Sequence, residues 1–597
     1  MIPEDCLREG DYMKLAVKYT KTVSALLSAL ASAAIWAHLG MSSYEPLLLG
    51  IFAALYFLYS AAIARIEGKI TLPAAALGFV FALFTLLGNL DALADQKTYA
   101  LWCVIRFFGF WSMYCAVLTL VFGKLSSVSL MCGDSAEISG RTPKKCRKVF
   151  AFSFILIAIF YAIWWLYEFP GNTSPDSNDQ IMQAMEITPL ESNHPAVSTL
   201  FIGIVFNAGL KLFSGNQNSA LALYTAAQLL IMAAIFAYVA ESVYEMGLKK
   251  GAVYFVLAAY LLHPVYASYS ITVFKDVLFS GWITGFCVTL WRLLQKEKAA
   301  VRAWEIVLLF FFALAASLFR NKCYYAFLLL FPLLFMQFRK KNRWVQAMPI
   351  VVFAIALFID GPLFSALNIK HLDSVESLSI PAQHIARVIA DGHELTDEQK
   401  ELLSHAVDID AVAEAYNENV SDPIKNLIRS TGDVEYIDAH KSEYFKLWLE
   451  LGIKYPGAYL RAQIDQTKGY WYPDCHYWSM SNYCQESDVL TIYKDRQTPA
   501  WLTSALDDIG FYLPLLPFGG LLFSIGLAFW VTLTLFALCG IHGRKDVMTV
   551  FFPVLALLLT LCAVTPVYAE FRYSYAMYTT LPLYALIPFA SRLPAEN

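Results

Sequence analysis

Residues 149–180 read VFAFSFILIAIFYAIWWLYEFPGNTSPDSNDQ, and this stretch joins an apolar run to a polar turn. The run 149–167 contains no charged residue and is close to the roughly 20 apolar residues that a helix needs to cross a membrane. Pro170-Gly171 is typical of a helix end. The polar segment that follows contains Asp176 and Asp179. The stretch therefore predicts a membrane-spanning helix that carries two carboxylates to one membrane face.

The composition extends this prediction to most of the 597 residues. The chain is 58% hydrophobic and only 15% charged, whereas a soluble domain is about 25% charged. This excludes a water-soluble, disordered or fibrous protein. We predict an all-α polytopic membrane protein with about 14 transmembrane helices. The segments are 23–41, 46–64, 71–89, 100–122, 149–167, 218–240, 251–269, 277–294, 303–320, 323–338, 346–365, 513–540, 548–567 and 573–590.

One long segment between these spans is acidic and polar. Residues 367–510 contain 24 acidic and 12 basic side chains, a balance of −12, while the rest of the chain has a balance of +8. Helical periodicity begins near Asp397, with Thr396 or Asp397 as its cap, and again after Tyr455, with Pro456 in the first turn. We predict a mainly helical, water-exposed insert.

The basic side chains predict the orientation. They cluster in short loops, and such clusters favour the cytoplasmic side. All six clusters lie inside if the N-terminus is cytoplasmic and the apolar stretch 195–212 is a juxtamembrane helix on the outer face. The clusters are Arg65/Lys69, Lys144/Lys145/Arg147/Lys148, Lys249/Lys250, Arg292/Lys296/Lys298/Arg302, Arg339/Lys340/Lys341/Arg343 and Arg544/Lys545.

This topology puts the loop 168–217 and the insert outside a plasma membrane. No cleavable signal peptide is expected, because the first 21 residues are polar and mixed in charge. We predict four regions. They are a four-helix membrane region with a basic cytoplasmic connector (1–148), a membrane core that contains the first outer loop (149–366), the extracytoplasmic insert (367–510) and the C-terminal transmembrane helices (511–597).

Asp176 has two interpretations. It is well placed to cap an amphipathic helix expected over 181–187, with its carboxylate on the first amides. Alternatively it is a general base at the membrane surface, which removes the proton of an acceptor hydroxyl. The sequence leaves both open.

Further charged residues occur at the outer ends of other spans. Charges at membrane depth are costly, and each is a functional candidate. The structural alternatives are an ion pair at the water boundary or contact with lipid headgroups. The functional alternative is that these residues bind a phosphate. The planar N–H donors of arginine are well suited to this. The residues are Lys275, Asp276, Arg320, Lys322, Glu570 and Arg572.

The order of motifs in the outer loop resembles that of a known superfamily. Pro-Gly, then Asp176-Ser, then His194-Pro195 opening an apolar helix resembles the GT-C membrane glycosyltransferases, especially relatives of protein O-mannosyltransferases and aminoarabinose transferases. The likeness covers about 149–343 and the final spans. The insert is similar to that of a bacterial branch whose function is poorly defined.

The resemblance implies a GT-C-like core and a polyprenyl-phosphate-linked sugar as donor. The acceptor would be a cell-surface glycan, lipid or protein. The catalytic acid of the family falls on Asp176, with Asp179 next, and His194 joins the expected substrate-binding residues. The family's adjacent acid pair is here separated, and its arginine at the start of the following span is absent. Another cation must therefore hold the phosphate. A divalent cation is optional, because a lipid phosphate is already a fair leaving group.

Two other classes of function are consistent with many spans and a large outer domain. A transporter or flippase of lipid-linked saccharide would need polar residues at mid-membrane and a repeated architecture, and neither is evident. A polysaccharide polymerase or ligase would use basic residues of the insert, for which Arg387, His384 and His476 qualify.

The remaining motifs are few. Cys475 and Cys484 lie in the polar insert, and the oxidising side of a membrane favours a disulfide between them. No histidine spacing predicts a zinc site. No nucleotide-binding motif is present on the cytoplasmic side, which argues against a nucleotide-sugar donor and an ATP-driven pump. Membrane lipids are expected partners, and nucleic acid is not.

Overall fold

The computed structural model describes residues 9–42, 45–94, 96–127, 141–296, 301–340, 342–370, 374–475, 477–480 and 482–590. Within these ranges all regular structure is helical, and strand-like pairing is limited to isolated bridges. The prediction of an all-helical chain is confirmed. Lys298, Lys341 and His476, which the sequence singled out, lie outside the described residues.

The chain divides into two compact units. The smaller comprises Met1–Ser129 with Leu533–Arg544, and the larger comprises Leu130–Thr532 with Lys545–Asn597. The four-region division predicted from the sequence is finer than this and stays a prediction. The first four helices are α1 (Glu9–Leu39), α2 (Leu47–Ile63), α3 (Gly68–Gly88) and α4 (Tyr99–Ser126).

The helices after residue 141 belong to the region before the insert, to the insert and to the C-terminal region. Those up to the insert are α5 (Pro143–Tyr167), α6 (Pro175–Ala184), α7 (Ala196–Leu212), α8 (Gln217–Glu245), α9 (Lys250–Leu262), α10 (Pro264–Ser270), α11 (Lys275–Gln295), α12 (Ala303–Phe319), α13 (Tyr324–Leu329), α14 (Phe331–Phe338), α15 (Arg343–Phe358) and α16 (Phe364–Ala366). The rest are α17 (Ser379–Ala390), α18 (Asp397–Ser404), α19 (Ile409–Ala415), α20 (Asp422–Thr431), α21 (Val434–Ala439), α22 (Lys441–Lys454), α23 (Pro456–Thr467), α24 (Ala500–Tyr512), α25 (Ile525–Ile541), α26 (Phe552–Val564) and α27 (Phe571–Tyr584).

Eight of the described helical segments are long and apolar enough to cross a membrane. This is the pattern of a multi-pass membrane protein. Five further apolar helices, α7 among them, are only 10–17 residues long. The eight are Tyr19–Leu39, Gly68–Gly88, Tyr99–Ser126, Pro143–Tyr167, Gln217–Glu245, Lys275–Gln295, Arg343–Ala366 and Lys545–Val564.

The segment predicted as one span over 251–269 is broken. α9 and α10 meet at an angle of 63°. Pro264 has no N–H to continue the helix and occupies the first turn of α10. The ring of His263 accepts the N–H of Val265 at 3.4 Å, which caps the new helix. The pair can count as a ninth span only as a bent one.

α11 is the most buried of the candidate spans and forms the centre of the larger unit. It packs against α8, α12 and α27. Glycines allow this close approach, since a Cβ at Gly285 would lie 2.5 Å from the ring of Phe312, and one at Gly281 would lie 2.8 Å from Ile235. Its N-terminal end carries Lys275 and Asp276, so the buried helix holds these two charges rigidly.

Gly171, at the turn after α5, provides a test of the loop. Its φ is +127°, and a Cβ there would lie 2.7 Å from the carbonyl oxygen of Ile271 and 2.4 Å from Thr225. We expect Gly171→Ala to cost about 1–3 kcal/mol from backbone strain alone, measured as a lower thermal midpoint in detergent. Gly251→Ala is the matched control, because a Cβ at Gly251 meets no atom within 4 Å. Equal midpoints for the two variants would contradict this account.

Candidate functional site

The loop after α5 forms a short helix that presents Asp176. α6 begins at Pro175, and Ser174 is its cap, since the Ser174 hydroxyl accepts the N–H of Ser177 at 3.3 Å. The Ser177 hydroxyl accepts the Ser174 N–H in return at 2.9 Å. The capping interpretation of Asp176 is therefore wrong, and the helix starts six residues earlier than the predicted 181. Asp176 lies in the first turn with its carboxylate available for other contacts.

Backbone pairing fixes this loop to the start of α11. The N–H of Asn172 donates to the carbonyl of Ile271 at 3.0 Å, and the N–H of Val273 donates to the carbonyl of Asn172 at 2.8 Å. The Ser177 hydroxyl also donates to the carbonyl of Val273 at 2.5 Å. These bonds bring the first turn of α6 beside the first turn of α11.

Asp176 is the centre of an ion-pair cluster. Arg572 Nη1 donates to its Oδ2 at 2.7 Å, and Lys275 Nζ lies 3.5 Å from the same oxygen. Lys275 Nζ also donates to Nδ1 of His194 at 3.1 Å. Three segments remote in sequence thus meet at one carboxylate. We call the side chains of Asp176, His194, Lys275, Asp276, Arg320, Glu570 and Arg572 the charge cluster.

A second layer of pairs holds the arginines. Arg320 Nη1 donates to Asp276 Oδ1 at 2.5 Å, and Arg572 Nε lies 3.3 Å from Glu570 Oε1. The ring of Tyr573 lies near both guanidinium groups, at 5.4 Å from that of Arg320 and 5.2 Å from that of Arg572. Such cation–π contacts orient arginine without using its N–H donors. The sequence analysis did not single out Tyr573, although its place next to Arg572 was a signal.

The three carboxylates of the cluster differ in exposure. The side chain of Asp176 is 32% exposed, against 1% for Asp276 and 4% for Glu570. Burial by itself would raise the pKa of Asp176, but Lys275 and then Arg572 outweigh it and hold that pKa well below its usual range.

Two other groups of the cluster are shifted towards neutrality. Burial raises the pKa of Glu570 to about 7, against the pull of Arg572. Burial and then the neighbouring ammonium of Lys275 lower the pKa of His194 to about 4. Near neutral pH His194 is therefore an uncharged acceptor for Lys275.

Two predicted site residues lie apart from the cluster. Asp179 is one turn further along α6, is exposed, and has no basic partner at ion-pair distance among the described residues. Partial desolvation of its carboxyl by neighbouring atoms and the negative charge of Asp176 raise the pKa of Asp179. Lys322 is 64% exposed and pairs with Asp360 at 2.5 Å.

The cysteine pair does not form a disulfide, which corrects the prediction. Cys475 and Cys484 are both free thiols. The thiol of Cys484 donates to the carbonyl of Gly171 at 3.3 Å, while that of Cys475 is near the hydroxyl of Tyr568. The two cysteines are thus held against different parts of the fold.

Arg387 and His384 bond to other residues of the insert itself. Arg387 Nε donates to both oxygens of Asp391 at 2.8–2.9 Å, and its Nη1 lies 3.4 Å from Asp465. His384 is buried, with ring nitrogens bonded to Trp448 and Gln463. These contacts give the two residues structural roles and do not favour a polymerase site there.

An extended segment of the insert lies across the outer loop, and we call residues 483–497 the strap. The N–H of Thr173 donates to the carbonyl of Tyr483 at 3.2 Å, and the N–H of Asp495 donates to the carbonyl of Phe169 at 3.0 Å. The side chains of Asn178 and Asn218 bond to strap carbonyls at 3.0 Å. The strap therefore fastens the loop that carries Asp176.

Lys494 is the ionic anchor of the strap, and the sequence analysis missed it. Its Nζ lies 2.5 Å from Glu168 Oε2 and 2.9 Å from the Glu168 carbonyl, and it also contacts Asn172 Oδ1. The Glu168 side chain is only 3% exposed. Nothing in the acidic insert marks this lysine, because its partner is 326 residues away.

No group of three or more His, Cys, Asp or Glu side chains suited to a metal ion occurs among the described residues. What the charge cluster does offer is a pair of cations, Lys275 and Arg572, beside one partly exposed carboxylate. Such an arrangement can bind an anion and accept a proton in the same place.

The strap gives a second prediction. Glu168→Gln removes the buried charge of the pair and leaves the partly buried ammonium of Lys494 without its partner. Breaking a buried pair typically costs about 3–5 kcal/mol. We expect a lower thermal midpoint and faster proteolysis within the strap. Glu450→Gln is the control, since Glu450 and Lys446 form an exposed pair, for which a change within about 1 kcal/mol is usual. Equal effects of the two variants would refute the anchoring role.

Comparison with known proteins identifies a family without a described activity. No curated protein and no solved structure matches the chain. A family profile matches residues 181–595, which includes the charge cluster except Asp176, the insert and the C-terminal helices. The chain belongs to DUF6020, a family of unknown function.

Proposed function

We propose that this protein is a membrane glycosyltransferase of the GT-C type that transfers a sugar from a polyprenyl-phosphate donor to an extracytoplasmic glycan, lipid or protein. The observation that carries the proposal is the meeting of Asp176 with Lys275 and Arg572, at 3.5 and 2.7 Å. A base and phosphate-binding cations are the two groups that such a transfer needs in one place.

In the proposed step the acceptor hydroxyl attacks the anomeric carbon of the donor sugar. The new bond joins the acceptor oxygen to that carbon, and the bond from that carbon to the phosphate oxygen breaks. The acceptor proton goes to Asp176. The lipid phosphate leaves with the electron pair, and Lys275 and Arg572 stabilise its charge.

The other members of the cluster serve the same step indirectly. Asp276 and Glu570 orient Arg320 and Arg572, and the ring of Tyr573 sets the spacing of the two guanidinium groups. Preorganised donors of this kind need no rearrangement when charge develops, which is why they lower a barrier.

A small pocket lies beside the cluster, at Arg320. It is lined by Arg320, Asn321, Lys322 and Asp360, and by residues of α7, α12 and α15. A donor that enters laterally between these helices would bring its phosphate to the face where the cations are. In this proposal Lys322 meets the phosphate during entry rather than during transfer.

The finer topology belongs to the same proposal. It has about 14 spans in a plasma membrane, a cytoplasmic N-terminus, α7 as a juxtamembrane helix and the insert outside. Beneath the insert the acceptor would reach Asp176, whose side chain is partly exposed.

Asp176→Asn tests the assigned base. We expect transfer in proteoliposomes containing polyprenyl-phosphate sugar to fall about a hundredfold or more, because general-base catalysis contributes that much. Asp179→Asn removes the same charge one turn away and should lose far less. Retained transfer by Asp176→Asn at normal expression would contradict the base, and movement of donor across the membrane without transfer would favour a flippase.

Glu570 gives a pH-dependent prediction. Its carboxyl ionises as the pH rises through about 7, and the new negative charge beside Arg572 opposes an incoming phosphate. We expect the affinity for polyprenyl phosphate, divided by that of Glu570→Gln, to fall severalfold between about pH 6 and about pH 8. The ratio removes the titration of the ligand itself. A ratio that stays constant or rises would contradict this assignment.

A further inference from the structure

The charge cluster contains three carboxylates, and one of them differs from the others in mobility. Asp276 and Glu570 are almost fully buried, at 1% and 4% exposure, whereas 32% of the Asp176 side chain is exposed. A buried carboxylate cannot leave its partner without losing both its charge pair and its chance of hydration. The side chain of Asp176 can rotate towards the solvent. Asp176 is therefore the one carboxylate of the cluster that can separate from its cations at modest free-energy cost.

Asp176 holds two cations, Lys275 and Arg572, whose side chains are partly buried. Arg320 is committed to the buried Asp276 at 2.5 Å. Lys275 and Arg572 instead place their terminal nitrogens on Asp176 Oδ2. A ligand anion that binds Lys275 and Arg572 would share these two cations with Asp176, while Arg572 Nε also lies near Glu570.

A phosphate and Asp176 therefore compete for one place. With His194 neutral and Glu570 ionised, three cations balance three carboxylates. A phosphate added to an unchanged cluster would put two anions against Lys275 and Arg572, and at such distances like charges repel by several kcal/mol even at an effective dielectric constant of about 20. The repulsion is relieved if the exposed carboxylate moves out as the phosphate moves in.

We propose that Asp176 is the internal counter-anion of this site, displaced from Arg572 and Lys275 by the donor phosphate, and that only the displaced carboxylate accepts the acceptor's proton. This inference rests on the proposed glycosyltransferase function and adds to it the order of events. Donor binding precedes the appearance of the base.

The electrostatics agree with this order. While paired, the Asp176 carboxylate is a weak base, since Lys275 and Arg572 hold its pKa well below its usual range against the opposite effect of burial. The other charged or titratable groups near it are His194, Asp179 and the second-layer acids Asp276 and Glu570. A bound phosphate would occupy the cations and add a negative charge, and both changes raise the pKa of Asp176.

The bonds, proton and electron pair are accounted for as in the proposed transfer. The proton of the acceptor hydroxyl passes to the displaced Asp176, and the phosphate oxygen keeps the electron pair of the broken bond. When the lipid phosphate leaves, Asp176 returns to Arg572 and Lys275, where its low pKa releases the proton to water. No oxidant, reductant or further reactant is needed.

The experiment measures binding rather than transfer. Polyprenyl phosphate is titrated into the full-length protein in detergent, as the wild type and as Asp176→Asn, Asp179→Asn and Lys275→Gln. Removal of an internal competitor should strengthen binding by Asp176→Asn roughly tenfold, equivalent to about 1.4 kcal/mol. Lys275→Gln should bind more weakly. Asp179→Asn removes the same charge nearby without removing a competitor, so its affinity should change by less than about threefold.

Inorganic phosphate is titrated alongside. Asp176→Asn should raise the affinity for inorganic phosphate by a similar factor, because the anionic group alone displaces the carboxylate. A gain for inorganic phosphate but not for the lipid would overturn the proposal for the donor. Thermal midpoints of all variants exclude misfolding as the cause of a lost affinity.

Proton uptake provides a second readout. At about pH 5 the displaced carboxylate should take up part of a proton when polyprenyl phosphate binds, seen as a heat that depends on the ionisation enthalpy of the buffer. Asp176→Asn should lack this component. If the wild type binds and Asp176→Asn binds equally or more weakly, the displacement is wrong and the proposed function stands. If the wild type does not bind polyprenyl phosphate, the proposed function fails and this inference fails with it.

Discussion

The pairing of buried charge organises the larger unit of this protein. An ion taken out of water is costly unless an opposite charge is in contact with it, and the charge cluster meets that requirement with partners from four parts of the chain. Asp176 and Arg572 are 396 positions apart, and Asp176 and Lys275 are 99 apart. The outer loop, α11 and α27 must therefore come together before Asp176 can pair with both of its cations.

The loop that carries Asp176 is held by ordinary hydrogen bonds. Asn172 pairs with the segment before α11, Ser174 caps α6, and the strap covers the loop with Lys494 bound to Glu168. These bonds hold the short polar loop between the apolar helices in a fixed position. A fixed loop is consistent with the proposed displacement of Asp176, because the backbone around Asp176 stays in place while its side chain moves.

Several features that depend on neighbouring residues were predicted correctly from the sequence. The uncharged run 149–167 lies within α5, Thr396 caps α18 with its hydroxyl on the N–H of Gln399, and Pro456 occupies the first turn of α23. Each result depends on residues within a few positions of one another. The two failures differ in range. The capping interpretation of Asp176 failed locally, because Ser174, two residues earlier, is the cap. The disulfide prediction failed through a long-range contact, because the thiol of Cys484 donates to the carbonyl of Gly171.

The amino-acid sequence alone predicts an apolar, helical membrane protein with an acidic insert, and it shows that charged residues at the ends of apolar segments are few. Hydropathy and helical periodicity are carried by neighbouring residues, which is why these features could be predicted. The three-dimensional contacts alone show which charges meet, that the ring of Tyr573 lies near two arginines, and that Asp176 is the most exposed of the three acids. Those relations depend on contacts between segments up to hundreds of residues apart, and no local spacing encodes them.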